Sequence, residues 1–182
     1  MSPFLTLFTR HMVSRPLMYE RMLESVAAQT DEDYEHVIIE DEIGQGFGWA
    51  NRQFAKHQDI VNGDYVLQCD DDLVLEPDAV AQIKAAVLAT HPAIVVYRVD
   101  HCQLGILPDA QVWGKGFVYS HIGGEDMAIR RDVWAKHLGA YDCDAYEGDW
   151  RFMQQLAAGG YAIHWLDKVL IRCQRISHGK GE

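Results

Sequence analysis

The sequence predicts an α/β fold, a single domain whose mainly parallel central sheet is flanked by helices. Three observations carry this expectation. Short apolar runs alternate strictly with helical patterns through the first half of the chain. Polar clusters stand where those runs end, at Thr9-Arg10, Asp41 and Asp70-Asp71-Asp72. The chain has 182 residues, 48% of them hydrophobic and 24% charged, enough for one core with little left for a second.

Phe4 to Phe8 reads as a short buried strand. Pro16 opens a helical pattern in which Leu17, Met22, Leu23 and Val26 share a face, ending near Gln29. His36 to Ile39 is a second strand, stopped by Glu40-Asp41-Glu42. A glycine loop follows (Gly44, Gly46, Gly48), then a helix from Trp49 to near Gln58. Tyr65 to Cys69 is a third strand that runs into the Asp triplet. Pro77 suits the first turn of the next helix, with Val80, Ile83 and Val87 on one face. Ile94 to Val99 is another strand, and the glycine-containing stretch from Asp100 to Gly124 reads as irregular. Arg131–Leu138 and Asp149–Ala158 read as helices, Ala162–Leu166 and Val169–Cys173 as strands. The compact domain is expected over 1–176, with 177–182 a mobile tail.

Lys and Arg number 16 against 27 Asp and Glu, a net charge of −11. A phosphate-tracking protein needs a basic face, so nucleic acid is disfavoured as a partner. No apolar run reaches membrane-spanning length, and Met1-Ser2-Pro3-Phe4 lacks the pattern of a signal peptide. Cys69, Cys102, Cys143 and Cys173 are dispersed without a Cys-x-x-Cys pair, as expected of reduced thiols in a cytoplasmic protein.

The Asp triplet is the sharpest chemical feature. Three adjacent carboxylates repel one another, and a divalent cation would offset that repulsion. In an extended segment Asp70 and Asp72 point the same way and could share a metal. A solvated acidic turn before a helix is the alternative, disfavoured because an apolar strand feeds directly into the triplet. Asp41 could accept hydrogen bonds from a base or sugar, or be a loop charge. The glycine loop has neither the Walker nor the dinucleotide spacing, and a turn is its favoured reading. Arg52, one turn into the next helix, is a candidate diphosphate contact or an exposed helix arginine. Asp149 stands at a helix start, where it could cap the helix or act as a general base. His178 is isolated near the C-terminus.

Together these segments resemble a family 2 glycosyltransferase with the Rossmann-like GT-A fold. The resemblance rests on motifs in order: Leu5-Thr6-Leu7-Phe8-Thr9-Arg10; Ser25-Val26-Ala27-Ala28-Gln29-Thr30; Val37-Ile38-Ile39-Glu40-Asp41; Gly63-Asp64-Tyr65 through Asp70-Asp71-Asp72 to Pro77-Asp78; Asp126-Met127-Ala128-Ile129-Arg130-Arg131; Gly139-Ala140-Tyr141-Asp142; and Gly148-Asp149. They span roughly Phe4 to His178. The resemblance implies that Thr9 and Asp41 hold the nucleotide base, with Arg10 beside them. It puts Asp70 and Asp71 by the ribose and metal, Asp72 on a divalent metal, Asp149 as catalytic base and His178 on the metal or diphosphate. Only 21 residues separate Asp41 from Gly63, so one edge is trimmed relative to the family. Glu147-Gly148-Asp149 replaces an adjacent Glu-Asp pair, which makes Glu147 a rival base.

The implied activity moves a sugar from a nucleoside diphosphate sugar, UDP-linked by preference, to an acceptor hydroxyl with inversion, aided by Mn²⁺ or Mg²⁺. The acceptor (glycan, lipid-linked sugar or small molecule) is not specified, and a homodimer could complete its pocket. Aromatic residues such as Trp113, Phe117, Tyr119 and Trp150 could stack on a sugar. Two rivals stand beside this reading: a haloacid-dehalogenase-like phosphatase using Asp70 and Asp72, and a non-catalytic nucleotide-sugar-binding module.

Overall fold

The computed structural model describes residues 2–102 and 104–174; His178 and the expected mobile tail lie outside the described residues. The elements run β1 (Leu5–Met12), α1 (Pro16–Ala27), β2 (Tyr34–Asp41), α2 (Phe47–Lys56), β3 (Tyr65–Gln68), β4 (Leu73–Leu75), α3 (Ala79–Thr90), β5 (Ile94–Asp100), β6 (Ile106–Leu107), β7 (Met127–Arg130), α4 (Arg131–His137), α5 (Gly148–Ala158) and β8 (Ile163–Cys173). The strands form one eight-stranded sheet in the order β2-β1-β3-β7-β5-β8-β4, with β6 added against β5. β1 pairs parallel with β2 and β3, and β5 parallel with β8, while β7, β4 and β6 run against them. The sheet is therefore mainly parallel with antiparallel insertions.

Side-chain alternation along the strands sorts the core into two layers. Leu5 and Leu7 of β1, Leu67 of β3 and Val95, Tyr97 and Val99 of β5 pack with Met22 and Val26 of α1 and Val80, Ile83 and Val87 of α3. The opposite face carries Phe8, Val66, Ile94, Val96 and Ile129, which meet Phe54 of α2, Val133 and Trp134 of α4, and Phe152, Met153 and Leu156 of α5. Helices thus cover both faces, as a parallel sheet requires. At the entry to β3, a Cβ on Gly63 would lie 2.4 Å from the Thr6 amide nitrogen, so only glycine lets the chain pass there.

Three elements depart from the sequence expectation. Leu73–Leu75 forms a short strand paired with the end of β8, because the chain doubles back directly after the Asp triplet. Met127–Arg130 is an inner strand between β3 and β5, too short to show a period of its own. The two strands expected after Ala162 are one, β8; Asp167 and Lys168 interrupt the apolar pattern but not the pairing, which shifts register opposite Tyr97, Arg98 and Val99.

Candidate active site

In open α/β sheets ligands bind beyond the carboxyl ends of the parallel strands, and here those ends surround a cavity of about 610 Å³. β1 brings Arg10, His11 and Met12, β2 brings Asp41, and β3 brings Gln68 and then Asp70 and Asp72. The end of β5 adds His101 and the end of β8 adds Cys173. β7 runs the other way, so the 3₁₀ turn that precedes it (Gly124–Asp126) opens onto the same edge with Glu125. The first turn of α5 supplies Asp149, and Tyr141 and Tyr146 complete that side.

The Asp triplet is divided among three environments. Asp70 accepts a two-point pair from Arg10, Nε at 2.9 Å and Nη2 at 2.6 Å, and the guanidinium lies 4.5 Å over the Phe54 ring. Burial works against the Arg10 charge, but the field of Asp70 and its hydrogen bonds prevail and raise the guanidinium pKa. Asp71 is fully buried and takes hydrogen bonds from Arg15 Nη1 at 2.7 Å and the Met12 amide at 2.7 Å, with His11 Nδ1 at 3.0 Å. Asp72 faces the cavity, and Arg15 Nη1 stands 3.4 Å from it. Burial, and then the negative charge of Asp70, push the Asp72 carboxyl up to about 6 against the pull of Arg15.

This division alters the sequence reading of the triplet. Asp70 and Asp72 were expected to share a metal, but Arg10 occupies both Asp70 oxygens. The same engagement argues against Asp70 as the nucleophile of a phosphatase. Asp72 retains the carboxylate with least cationic compensation. A hard divalent ion held by one carboxylate, waters and substrate phosphate oxygens fits such a donor.

Asp149 accepts the Trp150 amide at 2.7 Å, and its carboxyl lines the cavity. Burial raises its pKa, with that amide and Arg10 pulling the other way. It occupies the first turn of α5 rather than the cap. The cap is Glu147, which makes no side-chain capping bond and is exposed outside the cavity lining. Asp41 is 5% exposed and organises the glycine loop: its carboxylate accepts the amides of Gly44 at 3.0 Å and Gln45 at 2.7 Å. Gly44 and Gly46 stand at φ +70° and +80°, a conformation that favours glycine.

Three expected contacts do not reach the cavity. The Thr9 hydroxyl is buried and donates to the Cys69 carbonyl at 2.6 Å, with His36 Nε2 at 2.8 Å. Burial lowers the His36 pKa to about 4. Asp71 is enclosed by its partners. Arg52 is exposed and pairs with Asp142 and Asp144, each at 2.9 Å, because the loop before α5 offers two carboxylates nearer than the cleft. Trp113 instead packs edge-on to Trp165 and under Arg98. Sequence reading missed His101, Glu125 and Cys173, which carry no motif spacing and lie in or beside irregular segments. The acidic pair Glu125-Asp126 after two glycines was the one available signal.

No family model and no curated protein matches the sequence. Solved structures do match. S. aureus TarS residues 1–349, a glycosyltransferase, superposes with a TM-score of 0.74 at 13% identity, over 93% of this chain and 60% of that one. TarS 1–349 in complex with UDP-GlcNAc gives 0.74 at 13% identity, over 98% and 60%. A197 from STIV gives 0.53 at 17% identity, over 90% and 82%. The chain spans about three-fifths of the TarS fragment, 60% of its length. Among the described residues no helix is long and apolar enough to cross a membrane. The chain has the fold of a glycosyltransferase domain.

Proposed function

We propose that this chain transfers a sugar from a UDP-linked donor to an acceptor hydroxyl, with inversion at the anomeric carbon and with a divalent cation. The observation that carries the reading is the charge of the cavity. Its lining holds five carboxyls (Asp41, Asp70, Asp72, Glu125, Asp149) against two guanidiniums, both already paired with aspartates. Burial pushes Glu125 up to about 8 and leaves it largely neutral, yet the other four still outnumber the guanidiniums. A diphosphate entering such a cleft alone would be repelled, whereas a diphosphate carrying a metal ion would be attracted. The TarS complexes with UDP and UDP-GlcNAc support the donor class.

In this reading Asp72 holds Mn²⁺ or Mg²⁺, which when bound neutralises charge growing on the leaving diphosphate. Arg10 keeps Asp70 oriented beside the donor, and Asp41 keeps the glycine loop shaped around it. Asp149 takes the proton of the acceptor hydroxyl. A buried carboxyl with a raised pKa is the stronger base for that step. A single base opposite the leaving group suffices for direct displacement, and direct displacement inverts.

Calorimetry of UDP with Mn²⁺ or with EDTA tests the proposal. Binding is expected only with the metal, and Asp72→Asn should weaken it and abolish turnover. UDP binding indifferent to both EDTA and the substitution would reject a metal-centred site. Metal-dependent binding without turnover of any acceptor would favour a binding module.

A further inference from the structure

In the same cavity the ends of three strands bring together a second set of donor atoms. His101 follows the last residue of β5, Glu125 lies in the 3₁₀ turn before β7, and Cys173 ends β8. One ligand atom from each, an imidazole nitrogen, a carboxylate oxygen and a sulfur, lies within 4.8 Å of the other two. His101 Nδ1 and Cys173 Sγ are 3.3 Å apart. Two ligands on one tetrahedral metal, bonded at about 2.0 and 2.3 Å, stand roughly 3.5 Å from each other. All three residues line the cavity, so a metal among them would keep a position open to it.

A separate observation concerns the far side of the ring. His101 Nε2 lies 3.4 Å from Asp126 Oδ1, and both atoms are buried without a hydrogen-bond partner among the described residues. Asp126 itself is fully buried, its other oxygen taking the Gly123 amide at 2.8 Å. A carboxylate behind the imidazole keeps the proton on Nε2 and turns the Nδ1 lone pair toward Cys173 and Glu125. Metal-bound histidines commonly have such a carboxylate or carbonyl behind them.

We propose that His101 Nδ1, the Glu125 carboxylate and the Cys173 thiolate form a site for a transition metal of the zinc class, open to the cavity on its fourth side. The mixed sulfur, nitrogen and oxygen set suits Zn²⁺ or Co²⁺ and not the oxygen-seeking Mg²⁺. On binding, Cys173 and the protonated fraction of Glu125 give their protons to solvent, and the thiolate and the carboxylate become ligands. The fourth position is then available to water or to an oxygen of a molecule in the cleft. The proposal is independent of the donor reading, since it requires no nucleotide.

Co²⁺ titration of the chelator-stripped protein, without nucleotide, tests it by absorption spectroscopy. A sulfur-to-cobalt charge-transfer band is expected to saturate stoichiometrically, to resist excess Mg²⁺, and to be displaced by Zn²⁺. The band should vanish in Cys173→Ser and persist in Cys102→Ser and Asp72→Asn. Asp126→Asn should weaken Co²⁺ binding by about 10–100-fold, the scale of losing a histidine's supporting partner. Absence of the band in the wild type overturns the site, as does its survival in a Cys173→Ser protein. Loss of Co²⁺ binding in Asp72→Asn, with His101→Ala and Cys173→Ser binding normally, assigns the metal to the Asp triplet instead. Should Cys173→Ser fail to fold, the wild-type band and its resistance to Mg²⁺ still decide whether sulfur is a ligand.

Discussion

At the end of β1 Asp70 and Asp71 each meet a guanidinium, whereas on the other side of this comparison Glu125, Asp126 and Asp149 form no ion pair with Arg or Lys among the described residues. The first side is neutralised within the protein. The second is under-compensated: burial raises the carboxyl pKa values of Glu125, Asp126 and Asp149, and neighbouring acids add to the effect. Asp72 lies between the two, sharing Arg15 with Asp71 at the longer distance of 3.4 Å. A paired buried carboxylate holds the fold together, whereas an unpaired one raises the energy of the empty cleft and lowers it again when a cation or proton arrives. The contrast predicts that substitutions on the two sides will differ in kind: stability on the first, chemistry on the second.

The largest effect should come from the under-compensated side. Asp149→Asn is expected to lower turnover by about 10²–10⁴-fold, the scale of losing acid–base catalysis, with UDP binding nearly unchanged and the thermal midpoint not lowered. Glu147→Gln, exposed outside the cavity, should retain activity. Steady-state kinetics and a melting curve on both proteins check this, and full activity in a folded Asp149→Asn protein would remove Asp149 from the mechanism.

On the neutralised side, Arg15→Met should cost about 3–5 kcal/mol of stability, because it leaves the buried Asp71 charge without its guanidinium and with only His11 and the Met12 amide against it. Urea unfolding measures it. Adding Asp71→Asn to the same protein should recover part of the loss, since the stranded charge is then gone. An Arg15→Met protein as stable as the wild type would show that the Asp71 pair is not what holds this side.

Asp72 sharpens the comparison through pH. A carboxyl raised from 3.8 to about 6 binds its proton more tightly in the folded state than in the unfolded one. Its contribution to stability is therefore full below about pH 4 and is lost as pH rises through about 6. Asp72→Asn should accordingly stabilise the metal-free protein above pH 6, by roughly 2–3 kcal/mol at most, and leave it unchanged near pH 3.5. Thermal melts at the two pH values read this directly; a gain independent of pH would point to another cause. The smallest effect is expected at Arg52. Its partners Asp142 and Asp144 are solvent-exposed, so Arg52→Ala should leave both UDP affinity and the urea midpoint where they were.

Much of this contrast was invisible before folding. The strand–helix alternation was legible because β1, β3 and β5 are short runs buried on both faces, while α1 and α3 bury a helical stripe. Each signal lies within a few consecutive residues. The convergence of Arg10, Asp41 and the Asp triplet was legible for the same reason: each follows an apolar run, and parallel strands place such ends together. Thr9 and Arg52 were not, because whether a polar side chain reaches a cleft depends on what it meets first. Thr9 meets a carbonyl inside the sheet, and Arg52 meets two loop carboxylates.

The chain by itself determined the layered α/β arrangement, the acidity of the cleft and the place of Asp72 near it, while Asp149 came into view only through the resemblance of its motif to a family. Only the tertiary structure decided which aspartate each arginine neutralises, since Arg10 and Arg15 lie about equally far along the chain from all three. It alone brought His101, Glu125 and Cys173 within 4.8 Å, through the pairing of β5 with β7 and β8. Local sequence sets backbone preference and burial period over a few residues. Coulomb and coordination energies depend instead on distances of a few ångströms, and sheet register sets those distances between residues far apart in the chain.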